Sequence, residues 1–347
     1  MHLSNLKILN PGNFNTNTYF GDKNYFVSNF SRVNTTPKSE LLDANGNLVL
    51  KLETADLSAL FDSGYKFPEP FKAKANDGIT DIYGVMYKPF DFDERKKFPL
   101  IEYVYPGPQT EAVDKSFSAD YRWTRKDMLA QIGFIVVTLG NRGGHPDRSK
   151  WYHNYGYGNL RDYGLADKKY VAEQLAARHD FIDINKVGIF GHSGGGFMST
   201  AAILVYPDFF KVAVSSAGNH DNAIYNSWWS ESHHGIEKEL DKDGNIEYKY
   251  EIDNNQELAK NLKGHLLLVT GDMDNNVHPA ATMRVVDALI KENKRFSFMI
   301  LPGQRHGFGS MSEYFFWLKA DYFSKHFLGK NDFSIDMNII NQDIPQN

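Results

Sequence analysis

Ser193 stands at the centre of Gly191-His-Ser-Gly-Gly195, a G-x-S-x-G pattern. A serine hydroxyl is a poor nucleophile until a base takes its proton, and the base needs an acid to orient it. Both partners follow downstream. His306 lies in Pro302-Gly-Gln-Arg-His-Gly307, and Asp272 and Asp274 lie in Gly271-Asp-Met-Asp-Asn-Asn-Val-His278. Each piece alone has a plainer reading. G-x-S-x-G occurs by chance in Gly-rich turns, His306 is one of 12 histidines, and Asp274 sits among turn-forming residues. The order nucleophile, acid, histidine is what gives them weight, because it is the order of one class of acyl-transfer sites. Either aspartate can serve as the acid on this reading.

Competing chemistries fit less well. No Lys-Ser/Thr follows the glycines, and the G-x-G-x-x-G spacing of a dinucleotide site is absent. Asp272, Asp274 and His278, or the pair His233-His234, could be offered as metal ligands, but none has the helical H-E-x-x-H spacing and no third ligand is placed. The expectation is therefore a site with no metal and no cofactor.

The elements that must hold these residues are legible as alternating strands and helices. Val187 to Phe190 is a short apolar run suited to a buried strand, and from Phe197 the Met, Ala, Ile and Leu pattern predicts a helix. Strand, sharp turn and helix form the context in which a G-x-S-x-G serine acts. The turn forces unusual dihedrals on Ser193, and side chains at Gly191 and Gly195 would strike neighbouring backbone. Further strands are predicted at 71–74, 82–87, 99–105, 133–139, 211–215, 265–270 and 296–301, with helices at 160–178, 279–292 and 312–327. The acid follows the 265–270 strand and His306 follows the 296–301 strand, at the carboxyl ends where open α/β sheets carry their sites. Residues 219–260 read as an irregular excursion rich in Trp and Asn. The fold class is α/β, with a mostly parallel sheet flanked by helices. Residues 1–66 differ. Tyr25 to Phe30 reads as a strand, and Ser39 to Leu52 as a hairpin turning at Asn45-Gly46. This β-rich piece is too short to bury a core alone, so it should lean on the rest of the chain or on a second copy.

Composition narrows the field. The chain has 347 residues, a net charge of -5, no cysteine and 14% aromatic residues. That excludes disulfides and thiolate chemistry, and the lack of a dense Lys/Arg block argues against nucleic acid. No stretch has the long apolar run of a membrane helix, and Met1 to Lys7 does not resemble a secretion signal. As written, the chain reads as soluble and cytoplasmic.

Gly191-His-Ser-Gly-Gly-Gly196, Gly271-x-x-Asp274-x-Asn276-Val277, His306-Gly307 and Val104-Tyr105-Pro-Gly-Pro108 together resemble the catalytic domain of the dipeptidyl peptidase IV branch of the prolyl oligopeptidase family. The likeness covers about residues 67–330 and implies an α/β-hydrolase fold over 67–347. It selects Asp274 over Asp272. It also implies that Tyr105 and the Gly194 amide form the oxyanion hole. Tyr225 and Trp229 would line the pocket for the residue before the scissile bond, Val277 would form a pocket wall, and Asn276 would meet a substrate carbonyl. Full-length relatives are often exported. In the family a β-propeller with paired glutamates holds the substrate amine. Residues 1–66 look like the last blade of such a propeller, and no Glu-Glu pair lies there. Gly194 stands where that branch has tyrosine, which implies a wider pocket.

The reading is a serine hydrolase working through an acyl-enzyme on a short peptide or small ester. Without the amine-binding glutamates, small esters are expected to be preferred over dipeptidyl amides, as in a carboxylesterase. A non-catalytic interaction module is the rival from another class, and retention of all three residues argues against it. Nucleic acid and membrane are not expected as partners. A homo-oligomer through the N-terminal β segment is.

Overall fold

A computed structural model describes residues 14–20 (backbone only), 24–106, 108, 110–118, 125–249, 252–330 and 336. Parts of the expected N-terminal β segment (1–13 and 21–23), Gly107 of the turn after Tyr105, residues 250–251 of the excursion, and most of the chain beyond 330 lie outside the described residues.

The chain opens with an antiparallel four-stranded sheet in the order β1 (Phe14–Phe20), β2 (Tyr25–Ser31), β3 (Lys38–Asp43) and β4 (Leu48–Thr54). The expected hairpin is β3–β4, and Gly46 takes φ 84° at its turn. The structure adds β1, which pairs with β2. Every residue of β4 is exposed, so this edge covers no core. The end of β2 does lean on the larger body: the buried Ser31 Oγ accepts a hydrogen bond from the Phe117 amide at 3.0 Å.

An eight-stranded sheet follows. Its strands are β5 (Glu69–Lys74), β6 (Asp81–Tyr87), β7 (Phe98–Tyr103), β8 (Ile135–Leu139), β9 (Ile182–His192) and β10 (Phe210–Ser216). A separate hairpin, β11 (Glu237–Leu240) and β12 (Ile246–Lys249), precedes β13 (His265–Gly271) and β14 (Ser297–Leu301). The order across the main sheet is β14-β13-β10-β9-β7-β8-β6-β5, antiparallel only where β6 meets β5 and β8. Parallel strands are covered on both faces, so they read as unbroken apolar runs; all five residues of β8 are buried. Helices Leu165–Arg178, Gly194–Val205 and Ala280–Lys291 contribute Val171, Leu175, Ala201, Val285 and Leu289 to the core on one face. Helices Lys126–Gln131 and Ser312–Leu328 contribute Leu129, Phe316, Phe323 and Phe327 on the other.

Strand order decides where chemistry can sit. From β7 the chain runs outward to β8, then crosses back to β9 and proceeds through β10, β13 and β14 the other way. The reversal leaves a crevice at the carboxyl ends of β7 and β9. Tyr105 follows β7, Ser193 follows β9, Asp274 follows β13 and His306 follows β14, so all four emerge on one edge of the sheet.

The excursion between β10 and β13 is more ordered than its sequence suggests. It holds the helix Ser227–His234, the β11–β12 hairpin and a 3-10 helix at Gln256–Asn261. The Asn226 side chain caps the first of these by accepting from the Trp228 amide at 3.1 Å.

Candidate active site

Ser193 occupies φ 58°, ψ −123°, between the end of β9 and the helix Gly194–Val205. Such a conformation costs a non-glycine residue roughly 1–3 kcal/mol and persists only where the surroundings enforce it. They do so here. The Ser193 amide donates to the Ser216 carbonyl at 2.8 Å, and the Ser193 carbonyl accepts from the Phe197 amide at 3.0 Å as the helix begins. The turn is tight enough that glycine is obligatory. A Cβ on Gly195 would lie 2.2 Å from the Val104 carbonyl oxygen, and one on Gly191 2.5 Å from the same atom. Close approach of these backbones sets the nucleophile beside the strand that leads to Tyr105.

His306 reaches the serine from the loop after β14. Its Nε2 lies 3.0 Å from Ser193 Oγ, and its Nδ1 lies 2.8 Å from Asp274 Oδ2. The other carboxylate oxygen of Asp274 accepts from the Asn276 and Val277 amides, each at 2.9 Å. Burial alone would push the Asp274 carboxyl up, but the hydrogen bonds from His306 and the two amides outweigh it and hold the group below its ordinary value. The side chain is fully buried, whereas Asp272 is exposed. Asp274, not Asp272, is the acid that the fold brings to His306.

Tyr105 and Gly194 border the same cavity as Ser193. The Tyr105 turn is pinned from behind: the Pro106 carbonyl accepts from the Tyr163 hydroxyl at 3.1 Å and from Asn141 Nδ2 at 3.3 Å, while the Val104 amide donates to the Phe190 carbonyl at 2.9 Å. The Gly194 amide starts the helix, where the dipole favours negative charge.

The cavity measures about 440 Å³ and is walled by Tyr105, His192, Asn219, Tyr225, Trp229 and Asn276 around the serine and histidine. The Tyr225 hydroxyl donates to Asn276 Oδ1 at 3.3 Å, and its ring meets Trp229 edge-on at 5.7 Å. Burial raises the Tyr225 phenol above its usual range, which keeps it protonated and a donor. Trp229 is half-buried against Leu160, Tyr163 and Ile252, so it serves packing and cavity wall together, whereas Trp228 is largely exposed. Val277 is buried and borders an adjoining hollow with Tyr225, Asn276 and Asp221. Its amide, not its side chain, serves the site, through Asp274. Two wall residues escaped the sequence reading. His192 was hidden in the variable position of G-x-S-x-G. Asn219 lay in an excursion with no local pattern, although its place just after β10 was a usable signal. Among the described residues no group of three His, Asp or Glu side chains converges as metal ligands, and no helix is long and apolar enough to cross a membrane.

Comparison with known proteins identifies the family. The sequence profile of the prolyl oligopeptidase family matches residues 119–330. Human dipeptidyl peptidase 8 is 31% identical over 242 residues, which is 70% of this chain and 26% of the relative. A Bacteroides ovatus structure assigned as a dipeptidyl aminopeptidase IV superposes with a TM-score of 0.79 at 28% identity, covering 93% of this chain and 45% of that one. Porphyromonas gingivalis dipeptidyl peptidase 4 shares the fold, with a TM-score of 0.75 at 24% identity over 89% of this chain and 43% of that one. The chain thus spans about a quarter of the length of the curated relatives it matches.

Proposed function

Because the chain belongs to the prolyl oligopeptidase family, we propose that it is a serine hydrolase that cleaves peptide bonds in the manner of the dipeptidyl peptidases, with Ser193, His306 and Asp274 as its catalytic triad. The observation that carries the reading is the unbroken hydrogen-bonded line from Ser193 Oγ through His306 to Asp274. His306 Nε2 accepts the serine proton as the hydroxyl attacks the substrate carbonyl. Asp274 holds the other ring nitrogen as the donor and stabilises the imidazolium that forms. The developing oxyanion is met by the Tyr105 hydroxyl and the Gly194 amide. His306 then passes its proton to the leaving amine, which cannot depart as an anion. An acyl-enzyme remains, and water, activated by the same histidine, releases it. Tyr225, Trp229 and Asn276 border the space for the acyl side of the substrate.

A second reading, hydrolysis of small esters, draws on Gly194. This position contributes no side chain to the cavity wall, so the wall does not sieve acyl groups there. An alkoxide also leaves more readily than an amine and asks less of the general acid. The two readings separate in one experiment, the kcat/KM for Gly-Pro-p-nitroanilide against that for p-nitrophenyl acetate. Ser193-dependent cleavage of the anilide supports the peptidase reading. Turnover of the ester alone moves the assignment to esterase. Failure of a fluorophosphonate probe to label Ser193 overturns both.

A further inference from the structure

We propose that His192, the residue immediately before the nucleophile, is a positioning residue that ties the serine turn to the loop carrying His306. The inference rests on the triad reading above and adds a residue to it.

Two hydrogen bonds in the plane of the His306 ring leave one freedom open. The ring is held at Nδ1 by Asp274 and at Nε2 by Ser193, but it can still tilt about the line joining those contacts. Tilt matters because Nε2 must first face the serine oxygen and then the leaving group. His192 supplies the missing contact. Its ring centroid lies 4.8 Å from that of His306, inclined at 53°. Phe308 also meets it edge-on, at 5.1 Å and 90°. Phe308 itself takes a left-handed φ of 59°, which turns the chain back two residues after His306. His192 therefore touches both the catalytic ring and Phe308 in the loop that carries it.

His192 is also anchored to the serine turn. His192 Nδ1 lies 2.9 Å from Ser216 Oγ. The same Ser216 donates its hydroxyl to the Gly191 carbonyl at 3.1 Å and accepts the Ser193 amide on its own carbonyl at 2.8 Å. One residue on β10 thus holds Gly191, His192 and Ser193 at once, and His192 carries that register across to His306. A histidine can pack against the base without harming it only if it stays neutral. Burial, followed by the neighbouring charge on His306, pushes His192 down to about 3, while Asp274 and the His306 backbone act weakly the other way. At neutral pH it adds no positive charge opposite the imidazolium that catalysis creates.

The test compares His192→Ala, His192→Gln and His192→Phe in the full chain, with Ser193→Ala as control. The readouts are kcat and KM on p-nitrophenyl acetate, the rate of fluorophosphonate inactivation, and the melting temperature. Misplacement of a catalytic group by about 1 Å can cost about 100-fold, so His192→Ala should lower kcat by roughly 10–100-fold with KM within about twofold. Inactivation should slow by the same factor, because it needs an activated serine but no leaving-group selection. Gln can keep the hydrogen bond to Ser216, whereas Phe packs without one, so Gln should exceed Phe by about tenfold. If the alanine variant does not fold, the Gln and Phe pair decides. Equal rates for Gln and Phe, or a loss confined to KM, would overturn the proposal. An active Ser193→Ala enzyme would instead sink the triad reading itself. An inactive one beside unimpaired His192 variants would sink only the role of His192.

Discussion

Replacing Asp274 by asparagine should abolish most turnover while leaving the fold in place. The structure shows why the effect exceeds the loss of one hydrogen bond. Asp274 Oδ1 already accepts two backbone amides at 2.9 Å, so an asparagine keeps its oxygen there and turns its NH₂ toward His306. An amide nitrogen cannot accept from Nδ1–H. His306 must then accept at Nδ1 and carry its proton on Nε2, the nitrogen 3.0 Å from Ser193 Oγ. In that tautomer it cannot take the serine proton. Loss of the correct tautomer in a serine triad costs about 10⁴-fold in kcat. The assay is kcat and KM on p-nitrophenyl acetate and Gly-Pro-p-nitroanilide, with Asp272→Asn as the matched control. Asp272 is exposed, so its variant should stay within about twofold, as most surface substitutions do. An Asp274→Asn enzyme within tenfold of the native one, or an Asp272→Asn enzyme as impaired, would refute the tautomer argument. The same variant has a pH signature. The folded-state pKa of Asp274 lies below its unfolded value, so its carboxylate stabilises the fold above about 3.8 and that contribution vanishes as pH falls through the depressed folded value. Acid unfolding of Asp274→Asn should therefore be less steep over that range.

Ser193→Ala should remove about 10⁶-fold of the rate with an unchanged melting temperature, since loss of a triad nucleophile costs about that much; wild-type-like turnover in a clean preparation would be fatal to the mechanism. Tyr105→Phe should lower kcat by about 10²–10³-fold with little change in KM, because its hydroxyl acts on charge that develops in the transition state. An unchanged kcat would assign the oxyanion to backbone amides alone. Gly195→Ala places a methyl 2.2 Å from the Val104 carbonyl oxygen, a backbone atom that cannot step aside. Overpacking of this kind costs about 1–3 kcal/mol, read as a lowered midpoint in urea, and the displaced serine turn should lose activity as well. A variant as stable and active as the native chain would show that the turn is looser than its contacts imply.

Much of this protein is written in local sequence. The glycines at 191 and 195 declare the turn, because only they tolerate backbone oxygens so close. The apolar run of β8 declares a buried strand, because a parallel strand is covered on both faces. The order of serine, acid and histidine is likewise a property of the chain. Other features were not legible, each for a physical reason. The helix Ser227–His234 has only one buried residue, Ser230, so no apolar stripe announces it. The β11–β12 hairpin exposes all the residues of both strands, so no buried face imposes a pattern on its sequence.

The choice between Asp272 and Asp274 shows the boundary most clearly. The two stand two residues apart in one turn and are chemically the same. Tertiary structure separates them, because the turn after β13 buries one carboxylate beneath two amides and against His306 and leaves the other in water. Val277 and His192 follow the same rule. The first borders a hollow beside the cavity, and the second, with no local signal of its own, borders the cavity itself. Sequence determines which groups can do chemistry and which backbone can turn tightly, because those are properties of a residue and its neighbours. Which groups meet depends on strand order: β9 and β14 are set in one parallel sheet, and His306 comes within hydrogen-bonding distance of a serine 113 residues away.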